Sequence, residues 1–265
     1  MEISVEVARN GDRMNSEISG KKLAVVTGTS SGIGAALAEA LLAAGWTVVG
    51  VARRPVEIDN GAYFHFQCDL SDASALQNFA TSVLQEWLIK EDWQRVGLVN
   101  NAALIGALKS IRALDAHDLT HLFAVNTVAP LYLMGFVSNL VPDQTPLRIA
   151  NVSSGAATVG IPGLADYCAS KAALRMAGMS LAAEIERPEW SGNTAVFSYE
   201  PGVVATQMQD VARQSDPAEF PSHEFFQGIY DQGLLLSAQD VVAELVEFLA
   251  SDPAQKFNEL RHGTN

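Results

Sequence analysis

Apolar residues gather along this chain in short blocks of two kinds, and the two kinds alternate. Blocks rich in Val, Ile, Leu and aromatic residues at 23–27, 47–52, 63–67, 96–100, 148–152 and 194–199 predict six β-strands. Several are apolar on both faces, as strands covered from both sides must be. Between them, Ala- and Leu-rich stretches or apolar stripes at 34–44, 73–89, 117–140, 167–186 and 239–250 predict helices. Strand, helix, strand, repeated, implies an α/β fold: a doubly wound parallel sheet whose crossovers lay helices on both faces.

Punctuation fits this division. Ser71, before Asp72, is expected to cap the second helix, Pro188 to stop the fourth, and Ser237 with Asp240 three residues on to form a capping box. Pro130 removes a backbone donor within 117–140 and predicts a kink about one turn from Asn126, with that Asn beside a freed carbonyl. Residues 1–20 carry Asn10-Gly11-Asp12 and Ser19-Gly20 with no sustained period, and are read as a flexible leader before one domain at 21–265.

Composition narrows the partners. The chain has 265 residues, the size of one large α/β domain. With 17 Lys and Arg against 30 Asp and Glu its net charge is −13, which repels phosphate backbones, so nucleic acid is not an expected partner. At 48% hydrophobic and 18% charged residues the chain can bury a core. No apolar run was found to approach the ~18 residues a membrane span needs, and a cytoplasmic location is expected. Cys68 and Cys168 lack metal-ligand spacing and read as buried thiols. His117 and His121 lie one helical turn apart without a third ligand, so no metal site is expected. Trp46, Trp87, Trp93 and Trp190 show no repeat suited to stacking bases and read as core or interface.

The first strand block runs into Thr27-Gly28-Thr29-Ser30-Ser31-Gly32-Ile33-Gly34 and then a helix. Strand, Gly-rich turn and helix N-terminus together present backbone N–H groups to a pyrophosphate. Gly28, Ser30, Ser31, Gly32, Ile33 and Gly34 are therefore expected to hold a dinucleotide in a Rossmann-type sheet, the alternative being a plain turn. About 20 residues beyond the loop, where a carboxylate would serve NAD, stand Arg53 and Arg54. A guanidinium fork suits a 2′-phosphate, which favours NADP(H), with Arg53 the first choice; a solvated arginine pair is the other reading.

Tyr167 and Lys171 fall one helical turn apart on one face. The ammonium is expected to lower the phenol from its ordinary pKa near 10. Ser154 follows the block at 148–152, at a strand's C-terminal end where parallel sheets place their sites. Its hydroxyl can hydrogen-bond a carbonyl oxygen as that oxygen gains negative charge; by itself Ser153-Ser154-Gly155 is an ordinary turn.

Together these residues resemble the short-chain dehydrogenases/reductases over about residues 22–252. The loop at Gly28, Gly32, Ile33 and Gly34 is similar to that family's cofactor loop, and Asn100-Asn101-Ala102-Ala103 to its Asn-Asn-Ala-Gly turn. Asn126, Ser154, Tyr167 and Lys171 resemble its catalytic tetrad. The resemblance implies that Tyr167 exchanges the proton, Lys171 holds the nicotinamide ribose and lowers the Tyr167 pKa, Ser154 orients the carbonyl, and Asn126 holds a water in a proton relay. It also implies cofactor contacts from Asp69 and Leu70, with Asp69 at the adenine, and from Asn101 and Ala102, with Asn101 near the adenosine ribose. Pro201, Gly202, Val203, Val204 and Thr206 resemble the nicotinamide-side loop. A homodimer or homotetramer built on the helices at 117–140 and 167–186 is implied as well. Three departures stand out: Ala103 replaces a glycine, Glu200 adds a carboxylate before Pro201, and residues 257–265 lack the closing strand with Asp-Gly-Gly.

Within the family, residues 199–209 with Ala212-Arg213 and Leu235-Leu236-Ser237-Ala238 resemble the sepiapterin reductase and benzil reductase branch. That implies NADPH-dependent reduction of a small-molecule ketone or 1,2-diketone such as benzil. The alternatives are an NADP-dependent alcohol or steroid dehydrogenase, a pterin reductase, for which residues 254–265 lack an Asp, and a non-catalytic NADPH-binding regulator. Phe220, Phe225, Phe226 and Tyr230 make the segment at about 206–236 either a lid over an apolar carbonyl compound or a surface loop covering its own cluster.

Overall fold

A computed structural model describes residues 22–264, and the expected leader at 1–20 lies outside them. Seven parallel strands form the sheet, in the order β3-β2-β1-β4-β5-β6-β7. They are β1 (Lys22–Thr27), β2 (Thr47–Ala52), β3 (Tyr63–Gln67), β4 (Arg95–Asn100), β5 (Leu147–Val152), β6 (Thr194–Glu200) and β7 (Phe257–Arg261). Alternation within the strands makes two cores. Leu23, Val25, Val49, Val51, Leu98 and Ile149 face one side; Ala24, Val26, Val48, Val99, Ala150 and Phe197 face the other.

On the first side lie α2 (Ala73–Phe79), α3 (Gln85–Ile89), α4 (Ala116–Phe123), α5 (Ala129–Leu140) and α6 (Ala165–Ile185); α1 (Gly32–Ala43) and α9 (Ala243–Ala250) cover the second. Gly97 lets α9 approach, since a Cβ there would fall 2.9 Å from Leu249 Cδ2. At the sheet's lower end the buried Arg148 guanidinium donates to the carbonyls of Ser251 (2.9 Å) and Asn193 (2.9 Å) and pairs with Asp252. Trp46, Trp87 and Trp93 are core residues as expected.

Several boundaries differ from the sequence reading. β7 was missed because Phe-Asn-Glu-Leu-Arg alternates weakly, and an edge strand tolerates charges that discourage further pairing. Asp72, not Ser71, caps α2, accepting from the Ser74 and Ala75 N–H groups. The Ser237 and Asp240 exchange forms as expected but closes a turn, and α9 begins only at Ala243. Ala80–Leu84 and Ala124–Val128 are π-helical turns, so the second and third expected helices are each divided. The 116–140 run is, by length and composition, long and apolar enough to cross a bilayer, against the sequence reading, yet it turns Leu133, Met134 and Val137 into the core. The 206–236 segment folds as α7 (Gln207–Gln214) and α8 (His223–Asp231), which its mixed composition did not signal.

Candidate active site

The site lies where β1, β4, β5 and β6 end. Thr27 finishes β1, and its hydroxyl accepts the N–H groups of Asn101 (3.0 Å) and Ala102 (3.1 Å), joining the turns after β1 and β4. The Asn101 amide donates to the carbonyls of Thr27 (2.9 Å) and Gly28 (3.3 Å). Its side chain therefore braces the loop from behind, whereas the resemblance had turned it toward the adenosine ribose.

Gly28 and Gly32 have φ of +76° and +57°, and a Cβ on Gly34 would fall 2.5 Å from the Asn101 amide nitrogen. Only glycine fits such a fold of the chain. Ser31 stands at the N-cap of α1 without a side-chain cap, so the first N–H groups of the helix face the cleft. This glycine cradle with open helix amides fits the pyrophosphate of a dinucleotide.

The Arg54 guanidinium reaches the Ser30 and Ser31 hydroxyls at 3.3 and 3.4 Å, while Arg53, the sequence favourite, is exposed beside it. Burial alone would raise the Asp69 carboxyl, but hydrogen bonds from Ser71 and the charges of Arg53 and His121 outweigh it and hold the group below its usual range. Leu70 beside it is buried. Tyr63 of β3, which the sequence did not single out, donates its hydroxyl to Thr29 at 3.1 Å.

On the other side of the cleft, Tyr167 and Lys171 share one face of α6, with the ammonium 5.7 Å from the phenol ring centre. Burial pushes the Tyr167 pKa up to about 12, although the Ser154 hydroxyl favours the phenolate. Burial likewise brings Lys171 down to about 8. The phenol is thus raised where a lowering was expected, with desolvation the largest cause. Lys171 Nζ instead donates to the Val152 carbonyl at 2.7 Å.

Asn126 sits in the π-helical turn before Pro130, which has no N–H to offer the carbonyl four residues back. Its side chain makes no bond to a freed carbonyl of its own helix. It accepts the Leu104 N–H (2.8 Å) and donates to the Leu104 carbonyl (2.9 Å) and the Ser170 hydroxyl (3.0 Å).

The segment after β6 returns to the cofactor loop. Gly202 has φ of +78°, Val203 and Ala205 bond Leu236 on the far side of the lid, and Thr206 packs against the backbone of Gly32. Val204 is buried in this return, which follows Pro201, and Glu200 lies beside Gly155. Ala103 is not strained, because among the described non-glycine residues only Leu108 has a positive φ.

The segment at 206–236 packs on Tyr167 as well as on itself. Phe220 and Phe226 join Leu108, Leu164 and Tyr167 in one apolar cluster, while Phe225 and Tyr230 stay exposed. Cys168, half-buried, packs at its edge and is less enclosed than expected. Phe220 closes over Gly163, where a Cβ would fall 2.6 Å from its ring, and the Ser222 hydroxyl donates to the Pro162 carbonyl at 2.7 Å. An open cleft of about 360 Å³ lies between Ala107 and Leu108 on one side and Val211 and Glu219 on the other. A larger cleft of about 690 Å³ lies at the far end of α6, beside Trp190 and Phe257, away from the tetrad. Asp115, His117 and Asp118 bring ligand atoms within 4.8 Å of one another, but all are exposed on the α4 N-terminus, and His121 is not among them.

Residues 22–217 match the family model described as short chain dehydrogenase. Benzil reductase ((S)-benzoin forming) of Bacillus cereus is 28% identical over 238 residues, covering 86% of this chain and 94% of that protein. Sepiapterin reductase of Bos taurus is 29% identical over 253 residues, covering 88% and 91%. A solved short chain dehydrogenase/reductase of Saccharomyces cerevisiae shares the fold with a TM-score of 0.78 at 22% identity, covering 92% of this chain and 96% of that one.

Proposed function

Because the chain belongs to the short chain dehydrogenase family and is an oxidoreductase acting on CH–OH or C=O groups, we propose that it is an NADPH-dependent carbonyl reductase for aromatic or other apolar ketones and 1,2-diketones, of which benzil is the type. The observation that carries this reading is the apolar cluster that encloses Tyr167 between Leu108, Leu164 and the lid's Phe220. The likeness to benzil reductases supports it.

The glycine cradle would hold a nicotinamide dinucleotide, which when bound would supply the hydride for the carbonyl carbon. The chain's own residues complete the reduction. Ser154 donates a hydrogen bond to the carbonyl oxygen, drawing off charge as it develops. Tyr167, whose raised pKa keeps it protonated at neutral pH, gives the proton to that oxygen. The Lys171 ammonium, held at the end of β5, stabilises the phenolate left behind. Asn126 fixes the Leu104 segment that walls the site; with both side-chain ends so engaged, its part in a proton relay would have to run through its backbone carbonyl.

Preference for NADPH is proposed on Arg54, whose guanidinium over Ser30 and Ser31 suits a 2′-phosphate. Arg53 adds positive charge beside it. Exposed Val128, Leu131 and Met176 on the helices expected to assemble the oligomer support a homodimer or homotetramer.

The test is NADPH consumption with benzil by the purified protein and by Tyr167→Phe. The variant is expected to lose roughly 100-fold or more in kcat while its dinucleotide affinity holds. A Phe variant close to wild type would remove Tyr167 as the acid.

A further inference from the structure

Asp166 has no part in the chemistry above, yet it is 3% exposed in the wall of the site. Its two carboxylate oxygens serve different segments. One accepts the N–H of Tyr167 at 2.8 Å, within the first turn of α6; the other accepts the N–H of Ala107 at 3.0 Å, in the segment that follows β4. That segment is shaped around it. Gly106 has φ of +91°, and a Cβ there would fall 2.7 Å from the carboxyl carbon of Asp166.

Two residues on, Leu108 is held at φ of +56°. For a branched side chain this conformation is strained and persists only where the surroundings impose it. The surroundings here are two anchors. Asn126 grips Leu104 at both its N–H and its carbonyl, and Asp166 grips Ala107. Leu108 projects from this braced segment into the cluster with Tyr167 and Phe220, and it also borders the open 360 Å³ cleft shared with Val211 and Glu219.

We propose that Asp166 is a positioning residue that sets substrate choice. By holding Ala107 and Tyr167 at once, it fixes how far the Leu108 wall stands from the phenol, and so the width open to an aromatic carbonyl compound. The substrate in this inference rests on the carbonyl-reductase reading, whereas the anchor rests on the two hydrogen bonds. Only a carboxylate serves, because both of its oxygens must accept; an amide offers one acceptor and turns an NH₂ toward the other N–H.

The experiment compares wild type with Asp166→Asn, using benzil and the much smaller butane-2,3-dione at saturating NADPH, with amide exchange measured over 102–110 and 22–34. The KM for benzil is expected to rise about tenfold while kcat, the KM for butane-2,3-dione and the NADPH affinity stay within about twofold. Exchange is expected to quicken over 102–110 alone. An unchanged benzil KM, or losses equal for both carbonyls, would overturn the role in substrate choice. If wild type reduces neither compound, it is the carbonyl-reductase reading that fails, and unchanged exchange at 102–110 would then overturn the anchor separately. Should the Asn variant not fold, Leu108→Ala decides the matter: the ratio of the two KM values must shift, and a constant ratio refutes the proposal.

Discussion

The two sides of the cleft are held by different forces. On the cofactor side, short polar side chains grip main chain: the Thr27 hydroxyl and the Asn101 amide stitch together the turns after β1 and β4, and the glycines leave no room for a Cβ. On the substrate side, apolar side chains from three distant segments meet over Tyr167. Burying Phe220 is worth about 1.5–3 kcal/mol, against about 1 kcal/mol for the hydrogen bond from Ser222 to Pro162, so packing is what seats the lid. The cofactor side is therefore rigid and intolerant, and the substrate side adjustable.

That contrast is open to attack from either side. The largest effect belongs to the cradle. Gly34→Ala puts a Cβ against the Asn101 amide and the Gly28 carbonyl, so dinucleotide affinity by fluorescence titration is expected to fall roughly 100-fold or more, the equivalent of about 2.7 kcal/mol. Normal affinity in this variant would show the loop to be far softer than its contacts imply.

Next comes Arg54→Ala. Loss of a charge-assisted contact to phosphate should weaken NADPH by roughly 10- to 100-fold and leave NADH nearly unchanged. The same substitution at Arg53, which makes no side-chain bond to the loop, is expected to do less. Equal losses for both dinucleotides would detach Arg54 from the 2′-phosphate.

A pH profile probes the seam between the two sides. Tyr167, with its pKa at about 12, stays protonated through the working range, so it sets no falling limb there. Lys171 carries its charge only below about 8. Reduction is expected to drop about tenfold between pH 7 and pH 9 as that charge is lost. The sign for stability is the reverse: a lysine whose pKa is depressed on folding destabilises the native state while protonated, and that penalty is relieved between pH 8 and its unfolded value near 10.4. A reduction rate flat to pH 10 would exclude the ammonium from the rate-limiting step.

The smallest effect is reserved for the lid latch. Ser222→Ala should change the KM for benzil by only a few-fold, in line with about 1 kcal/mol. A tenfold larger loss would mean that the latch, and not Phe220, seats the lid.

Much of the fold was legible along the chain because it is written in local patterns. Apolar residues at successive positions in β1, β2 and β4 mark strands buried on both faces, and the glycines at 28, 32 and 34 mark a turn no other residue can make. Spacing alone put Tyr167 and Lys171 on one helical face. Where patterning was weak, the reading was weak too: β7 is short, charged and paired on one side only.

What the chain determined by itself was thus the sheet, the glycine cradle and the pairing of Tyr167 with Lys171, all set by backbone geometry or by residues within a turn of each other. Tertiary structure alone decided which arginine lies over Ser30, that burial dominates the acidity of Tyr167, and that Asp166 clamps a segment 59 residues away. Those outcomes depend on desolvation and on contacts between distant segments, which do not exist until the chain has closed around them.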